Sequence, residues 1–189
     1  MKKSLGAKTS IVPTPVWCVG SYDPDNAPNI MTIAWGGICC SKPPCVTISL
    51  RKATYTYGNI MERQAYTLSV PSERFIQEAD FFGMVSGRAV NKFQQTGLTP
   101  VKSDLVDAPY VGEFPMILEC KVIHHYEIGL HTQFVGEIVD TKIDESLLSE
   151  EGKPDIEKIR PVIFSPEARK YHSIGKHLGK AFEVGKKYI

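Results

Sequence analysis

Two cations and two hydroxyls lie within six residues at the end of a predicted strand. Residues 45–51 alternate polar and apolar side chains, which predicts a strand ending at Arg51. Lys52 follows, and Thr54 or Thr56 could cap the helix predicted after them. A helix N-terminus offers unpaired N–H donors and partial positive charge, so this junction could bind a phosphate. Alternatively, Thr54 only caps the helix and Arg51 lies on a solvated edge.

His131 is a second candidate for chemistry. Two runs rich in β-branched and aromatic residues, 114–128 and 131–143, are separated only by Gly129 and Leu130. This spacing predicts a hairpin, with His131 at the start of its second strand. A single strand histidine is more often structural than catalytic, so a role for His131 needs independent support.

The five cysteines are Cys18, Cys39, Cys40, Cys45 and Cys120. Their odd number and their positions within apolar runs predict buried free thiols rather than a disulfide framework. The cluster formed by Cys39, Cys40 and Cys45 could ligate a metal or exchange disulfides. Because it contains no C-x-x-C pair and has no matching histidine nearby, we expect a structural role and no metal site.

The length and composition favour one ordinary globular domain. The chain has 189 residues, 42% hydrophobic and 23% charged residues, and a net charge of +1. This charge argues against a nucleic-acid partner. No apolar run approaches the roughly 20 residues that span a bilayer, and the basic N-terminus is not followed by an apolar segment. We therefore expect a cytoplasmic protein without a membrane partner.

Strand-like runs dominate the rest of the sequence. They are separated by short polar turns, and the few helical candidates follow Thr56 or lie at 72–83 and 90–97. Such a pattern predicts a mainly β fold, an antiparallel barrel with a few inserted helices, rather than a doubly wound sheet. We expect a single domain over residues 1–189, with 144–189 as a C-terminal extension packed on it.

Several short motifs occur in a specific order along the chain: Asn29, Met31, Thr32 and Trp35 in N-x-M-T-x-x-W, Pro43-Pro44, Arg51 with Thr54-Tyr55-Thr56, Gly83, Ser86-Gly87, Asn91-Lys92-Phe93, Glu119-Cys120, Gly129 to His131, Gly136-Glu137, Tyr171, Gly175 and Gly179. As a set they resemble the flavin reductase-like family with the FMN-binding split-barrel fold, of antiparallel Greek-key type, and most closely its flavoredoxin-type members. Two positions depart from that pattern, because Asn91 and Leu130 stand where aspartate is usual.

The resemblance implies FMN, with FAD less expected, bound at the interface of a homodimer. It assigns the phosphate to Arg51, Lys52, Thr54 and Thr56. The flavin ring would lie along Asn29, Met31, Thr32, Ala34 and Trp35. The residues that would close the site, some from the second subunit, are Lys92, Phe93, His131 and Tyr171.

Two of these residues are the catalytic candidates that the resemblance implies. Lys92 would be the cation near the N1–O2 edge of the flavin, although a surface lysine in a helix is the alternative. His131 would lie near a nicotinamide, and Leu130 in place of aspartate leaves that role open. Trp35 or Phe93 would exclude water from the ring, with Trp35 as barrel core the alternative.

The leading functional hypothesis is an FMN-dependent oxidoreductase. It would pass electrons from NAD(P)H or a redox protein through FMN to an acceptor. The sequence has no G-x-G-x-x-G dinucleotide motif, so NAD(P)H would have to dock directly against the flavin. The alternative is a flavin-binding or electron-carrier module without its own NAD(P)H activity.

Overall fold

The computed structural model describes residues 1–189. Its strands are β1 (Thr14–Pro15), β2 (Trp17–Tyr22), β3 (Pro28–Ile33), β4 (Gly36–Ser41), β5 (Pro44–Arg51), β6 (Ala65–Val70), β7 (Pro100–Lys102), β8 (Pro109–Val111), β9 (Met116–Ile128), β10 (His131–Ile143), β11 (Ile163–Ser165) and β12 (Lys170–His172). Its helices are α1 (Tyr55–Arg63), α2 (Ile76–Met84), α3 (Lys92–Thr96) and α4 (Ile156–Ile159). Short 3₁₀ turns lie at Glu73–Phe75, Glu145–Leu147 and Lys186–Tyr188.

Seven strands form the main sheet in the order β3-β2-β6-β9-β10-β5-β4, and every pair is antiparallel. The sheet is rolled, since Val19 of β2, Ile48 of β5, Leu68 of β6 and Phe134 of β10 belong to one buried cluster. The prediction of a mainly β, antiparallel barrel with a few inserted helices is confirmed.

The strand β5 follows the predicted alternation. Val46, Ile48 and Leu50 are buried in the barrel, whereas Thr47 and Ser49 are only half-buried on the outer face. A period of two residues places alternate side chains on opposite faces of a strand. The outer face of β5 is therefore free to line a site.

The hairpin of β9 and β10 is the longest structural unit, and it turns at Gly129 and Leu130 as predicted. Gly129 has a φ of 51°, which a glycine adopts without the cost of a Cβ atom. The pairing opposes His131 both to Ile128 and, on the other side, to Arg51 of β5. The hairpin thus brings His131 beside the end of β5.

A second core lies between α2, α3 and the C-terminal part of the chain. Phe82 and Phe93 pack there with their ring centroids 6.3 Å apart, and Val162 belongs to the same cluster. The segment 144–189 also contributes β11, which pairs with β1 and with β12. Because β1 and β11 are distant in sequence, this pairing ties the two ends of the chain together.

Two further observations concern the whole chain. No helix is long and apolar enough to cross a membrane. No group of three or more His, Cys, Asp or Glu side chains has a geometry that could hold a metal ion.

Candidate functional site

The junction between β5 and α1 has the geometry expected of an anion site. Thr54 is the N-cap of α1, and its Oγ1 accepts a hydrogen bond from the Tyr57 N–H at 3.4 Å. The same hydroxyl donates to the Arg51 carbonyl at 2.9 Å. Arg51 is exposed, and its guanidinium lies in no ion pair within the chain. Its charge and the free N–H groups of α1 are therefore available to a ligand.

Lys52 is less available than the sequence suggested. Its ammonium contacts a carboxylate oxygen of Glu127 on β9 at 2.6 Å, and this hydrogen bond raises the pKa of Lys52. The pair is exposed, so solvent screens it and it contributes little to stability. A phosphate at the junction would have to compete with Glu127 for this cation.

Arg88 is a cation of the junction that the sequence interpretation missed. Its Nη1 donates to the Ala53 carbonyl at 3.1 Å, and its guanidinium carbon lies 5.1 Å from the centroid of the Tyr55 ring. Tyr55 in turn donates to Asp23 at 2.8 Å. The sequence indicated this region only through the adjacent Ser86-Gly87 motif. That motif does not indicate that Arg88 lies close to α1.

Asn29 and Thr56 form a buried network behind the junction. The Asn29 amide donates to the Thr56 hydroxyl at 2.9 Å and to the Ser21 hydroxyl at 3.3 Å. Thr56 is 1% exposed, so its hydroxyl faces Asn29 rather than the surface. The sequence placed Thr56 at the phosphate, whereas its hydroxyl lies in this buried network behind the junction.

The Asn29 side chain also carries a buried acceptor without a donor. Its Oδ1 has no hydrogen-bond partner in the chain. Gly87 lies against it, and a Cβ atom at Gly87 would be only 2.1 Å from this oxygen. A buried carbonyl oxygen without a donor is costly, so a hydroxyl or N–H group of a ligand would be stabilised here.

A cavity of about 530 Å³ lies along the outer face of β5, next to the junction. It is lined by the N-terminal segment, by the connection between β3 and β4, and by residues of β4, β5 and β10, namely Ala34, Trp35, Gly36, Gly37, Thr47, Ser49 and Gln133. Its volume is typical of cofactor sites. Trp35 is half-buried and lines this cavity, which favours a wall for a ligand over a place in the barrel core.

A smaller cavity of about 230 Å³ lies on the other side of Ala34, which lines both. Tyr171 lines it, donates to Asp80 at 2.7 Å and packs on Phe164 with centroids 5.2 Å apart. Burial and the bond to Asp80 raise the pKa of Tyr171, so it remains a phenol. Thr32 lines the same cavity, and its hydroxyl bonds to the Ala79 carbonyl.

Lys92 and Phe93 lie inside the protein rather than on either cavity. Lys92 is 3% exposed, and its ammonium donates to the carbonyls of Ile30 at 2.8 Å and Phe82 at 2.7 Å. Phe93 is 4% exposed in the second core. The alternative of a surface lysine is therefore wrong, because Lys92 is buried and joins β3 to α2.

Two predicted residues remain, His131 and Met31. His131 is half-buried and pairs with Arg51, and the next pair on the same face of the sheet is Gln133 with Ser49. Met31 packs on the barrel core without lining either cavity. The structure therefore places Ala34 and Trp35 on the cavity wall and Arg51 beside His131 at the strand ends, whereas Asn29 and Met31 line neither cavity.

Another cavity, of about 520 Å³, lies near the C-terminal segment. Two of its cations have polar partners, because Arg160 contacts Glu73 at 2.6 Å and Lys158 donates to the Leu148 carbonyl at 2.6 Å. None of the residues that line this cavity belongs to β5. We regard the cavity beside β5 as the candidate site.

Comparison with known proteins identifies the family of the chain. The family model of the flavin reductase like domain matches residues 9–174. The chain belongs to the flavin reductase-like family. The fold is accordingly the split barrel of this family.

Two solved structures of flavoredoxins are similar to this member of the family over nearly all of its length. That from Desulfovibrio vulgaris (Miyazaki F) is 57% identical, with a TM-score of 0.94 over 98% of this chain and 100% of the other. That from Methanosarcina acetivorans is 27% identical, with a TM-score of 0.92 over 100% of both chains. A ferric-chelate reductase (NAD(P)H) from Archaeoglobus fulgidus is 29% identical over 104 residues, which are 54% of this chain and 60% of that protein.

The buried ammonium of Lys92 should produce a pH-dependent stability. Burial lowers the pKa of Lys92 to about 8 from the usual 10.5. At a pH between these two values, Lys92 is protonated in the unfolded chain and has lost its proton in the folded chain. The free energy of unfolding of the wild type, relative to Lys92→Met, should therefore rise with pH in this window, by at most about 1.4 kcal/mol per pH unit.

Urea unfolding of both proteins at several pH values from 7 to 10 measures this difference. Titrations common to both proteins cancel in the comparison. A difference that is constant or falls with pH would contradict the effect of burial on this lysine.

Proposed function

We propose that this member of the flavin reductase-like family binds FMN along the outer face of β5 and transfers electrons from NAD(P)H or a redox protein to an acceptor. One observation carries the proposal. Ser49, which lines the larger cavity, and the exposed Arg51 are two residues apart on the same face of β5, about 7 Å along the strand. The cation at the end of β5 therefore lies next to a cavity that is large enough for a flavin ring, which supports a phosphate and a ring bound side by side.

The residues present fit this cofactor. Arg51, Arg88 and the N-terminus of α1 would hold the phosphate by charge-assisted hydrogen bonds. The buried Asn29 Oδ1, which has no donor in the chain, fits a hydroxyl or N–H group of the cofactor. The cavity beside Trp35 would hold the ring.

Bound FMN supplies hydride and one-electron chemistry. Ala34 and Trp35 would hold the ring, and Trp35 would keep water from it. Lys92 acts indirectly, since its two carbonyl contacts fix β3 relative to α2 and thereby position Thr32 and Ala34. His131, which pairs with Arg51, would contact an incoming donor.

The alternative is an electron carrier that accepts electrons only from another protein. The similarity to two flavoredoxins and the absence of an aspartate before His131 favour it, whereas the similarity to a ferric-chelate reductase favours direct NAD(P)H activity. Both alternatives use the same FMN site, so the site does not depend on which donor is correct.

We also propose that a second copy of the chain completes the site. On β9, Tyr126 is 53% and Ile128 58% exposed. Tyr126 opposes Gln133, which opposes Ser49, so all three lie on the sheet face that carries the cavity. Two large apolar side chains left on this face indicate a covering partner, and a homodimer would supply it.

Anaerobic titration of the FMN-loaded protein with NADH and then NADPH tests the function. A reductase should lose its oxidised flavin absorbance within seconds. A persistent oxidised spectrum with both nucleotides would select the carrier, and failure to bind FMN at all would reject both.

The His131→Ala variant adds a second comparison to this titration. If His131 contacts the donor, the variant should reduce more slowly but retain its FMN affinity. Equal kinetics in the variant and the wild type would return His131 to a structural role.

Arg51→Ala should weaken FMN binding, because it removes a charge-assisted contact with the phosphate. The expected loss is roughly 1.5 to 3 kcal/mol, or about a 10- to 150-fold higher Kd. Lys52→Ala is the matched control and should have a smaller effect, since Lys52 is already paired with Glu127. Fluorescence titration with FMN measures both, and an unchanged Kd in Arg51→Ala would rule out the phosphate assignment.

Sedimentation equilibrium tests the second copy. The wild type should have twice the chain mass of 21.0 kDa. Tyr126→Asp should sediment as a monomer and bind FMN more weakly, because a charge is buried at the interface. Ile156→Asp, at a 56% exposed position on α4, is the control and should remain a dimer. A monomeric wild type that retains FMN would refute the shared site.

A further inference from the structure

Three thiols lie close together at the turn between β4 and β5, outside the proposed flavin site. Cys39 and Cys40 are exposed on β4, and Cys45 is 2% exposed at the start of β5. The prediction of buried thiols is therefore correct for Cys18, Cys45 and Cys120 but wrong for the other two. The edge position of β4 accounts for the difference, because all of its last four residues, 38–41, are exposed.

The register of β4 and β5 selects one pair. Cys40 lies directly opposite Cys45, whereas Cys39 is the extra residue in the register shift between Ile38 and Cys40. Opposed residues of antiparallel strands have Cβ atoms about 4.5–5.5 Å apart, close to the roughly 3.5–4.5 Å of a disulfide. Adjacent residues are only about 3.8 Å apart at Cα, below the usual disulfide range, so Cys39 and Cys40 are poorly suited to pair with each other.

Metal binding does not explain the cluster. The side chains of the chain include no group of three His, Cys, Asp or Glu with metal-binding geometry. What remains is the chemistry of two opposed thiols, one exposed and one buried.

We propose that Cys40 and Cys45 form a thiol–disulfide exchange site whose oxidant is a low-molecular-weight disulfide. The Cys40 thiolate attacks one sulfur of that disulfide, whose S–S bond breaks, and the leaving thiolate takes up a proton. Cys45 then loses its proton and attacks the Cys40 sulfur, which forms the internal disulfide and releases the second thiol. One external disulfide becomes two thiols while two protein thiols become one disulfide.

Exposure assigns the two roles. An external disulfide can reach Cys40 but not Cys45. Burial, and then the proximity of Cys40 and Cys39, raise the pKa of Cys45, which keeps it protonated and unreactive until a partner is delivered to it. Cys40 is therefore the attacking residue and Cys45 the resolving one.

The exchange site goes beyond the proposed flavin function and is separable from it. Cys45 is on the same face of β5 as Thr47, two residues or about 7 Å from this residue of the cavity wall. Neither Cys40 nor Cys45 lines the cavity. Variants at these cysteines should therefore retain FMN affinity.

The test is incubation of the full-length folded protein with oxidised glutathione, followed by acid quenching, denaturation, alkylation with N-ethylmaleimide and intact mass measurement. The wild type, which has five cysteines, should lose two hydrogens and alkylate at only three. Dithiothreitol should restore all five. Cys39→Ser is the matched control and should still form the internal disulfide.

Cys40→Ser and Cys45→Ser should form no internal disulfide. Because Cys40 is exposed, its replacement is not expected to impair folding, so this variant keeps the test valid even if Cys45→Ser is unstable. Five alkylated thiols in the oxidised wild type, or an internal disulfide that persists in Cys40→Ser, would overturn the assignment.

Discussion

The structure depends on the two-residue period of β5 and on its pairing with β10. Val46, Ile48 and Leu50 are buried in the barrel, so Thr47, Ser49 and Arg51 must lie outside it. A shift of one residue would reverse both faces, expelling the core and burying the cation, which makes the register strongly specified. The same pairing places His131 beside Arg51. The alternation of apolar and polar residues along β5 thus determines both the packing of the barrel and the residues that line the cavity.

The interior is also fixed by Lys92, whose buried ammonium joins two elements that are remote in sequence. Its contacts with Ile30 on β3 and Phe82 on α2 satisfy two carbonyls at the cost of burying a charge. Thr32 makes a second connection between the same elements through the Ala79 carbonyl. The resemblance assigns Lys92 and Thr32 to the flavin site. Their contacts show that such residues can act by holding β3 in place, next to the residues that line the cavities.

Local signals in the sequence predicted the elements well. Alternation identified β5, the Gly129-Leu130 spacing identified the hairpin, and Thr54 was correctly considered as a helix cap. Contacts between distant segments could not be predicted in this way, because they depend on how the sheet rolls. The burial of Thr56 against Asn29, the approach of Arg88 to α1 and the exposure of Cys39 and Cys40 all arise at this level. Motif resemblance suggested the region of the candidate site, but only the packing distinguished residues that line the cavities from residues buried behind them.

The pairing of β1 with β11 has a consequence for the biosynthesis of the protein. Residues 8–11 and 13–15 form one wall of the larger cavity, and the Thr14 hydroxyl in that wall donates to the Phe164 carbonyl at 3.3 Å. On the ribosome, this wall emerges before its partner strand, because Thr14 and Phe164 are 150 residues apart in the sequence. The cavity is therefore completed only after β11 has been made, and a cofactor that needs both walls can be retained only from that point.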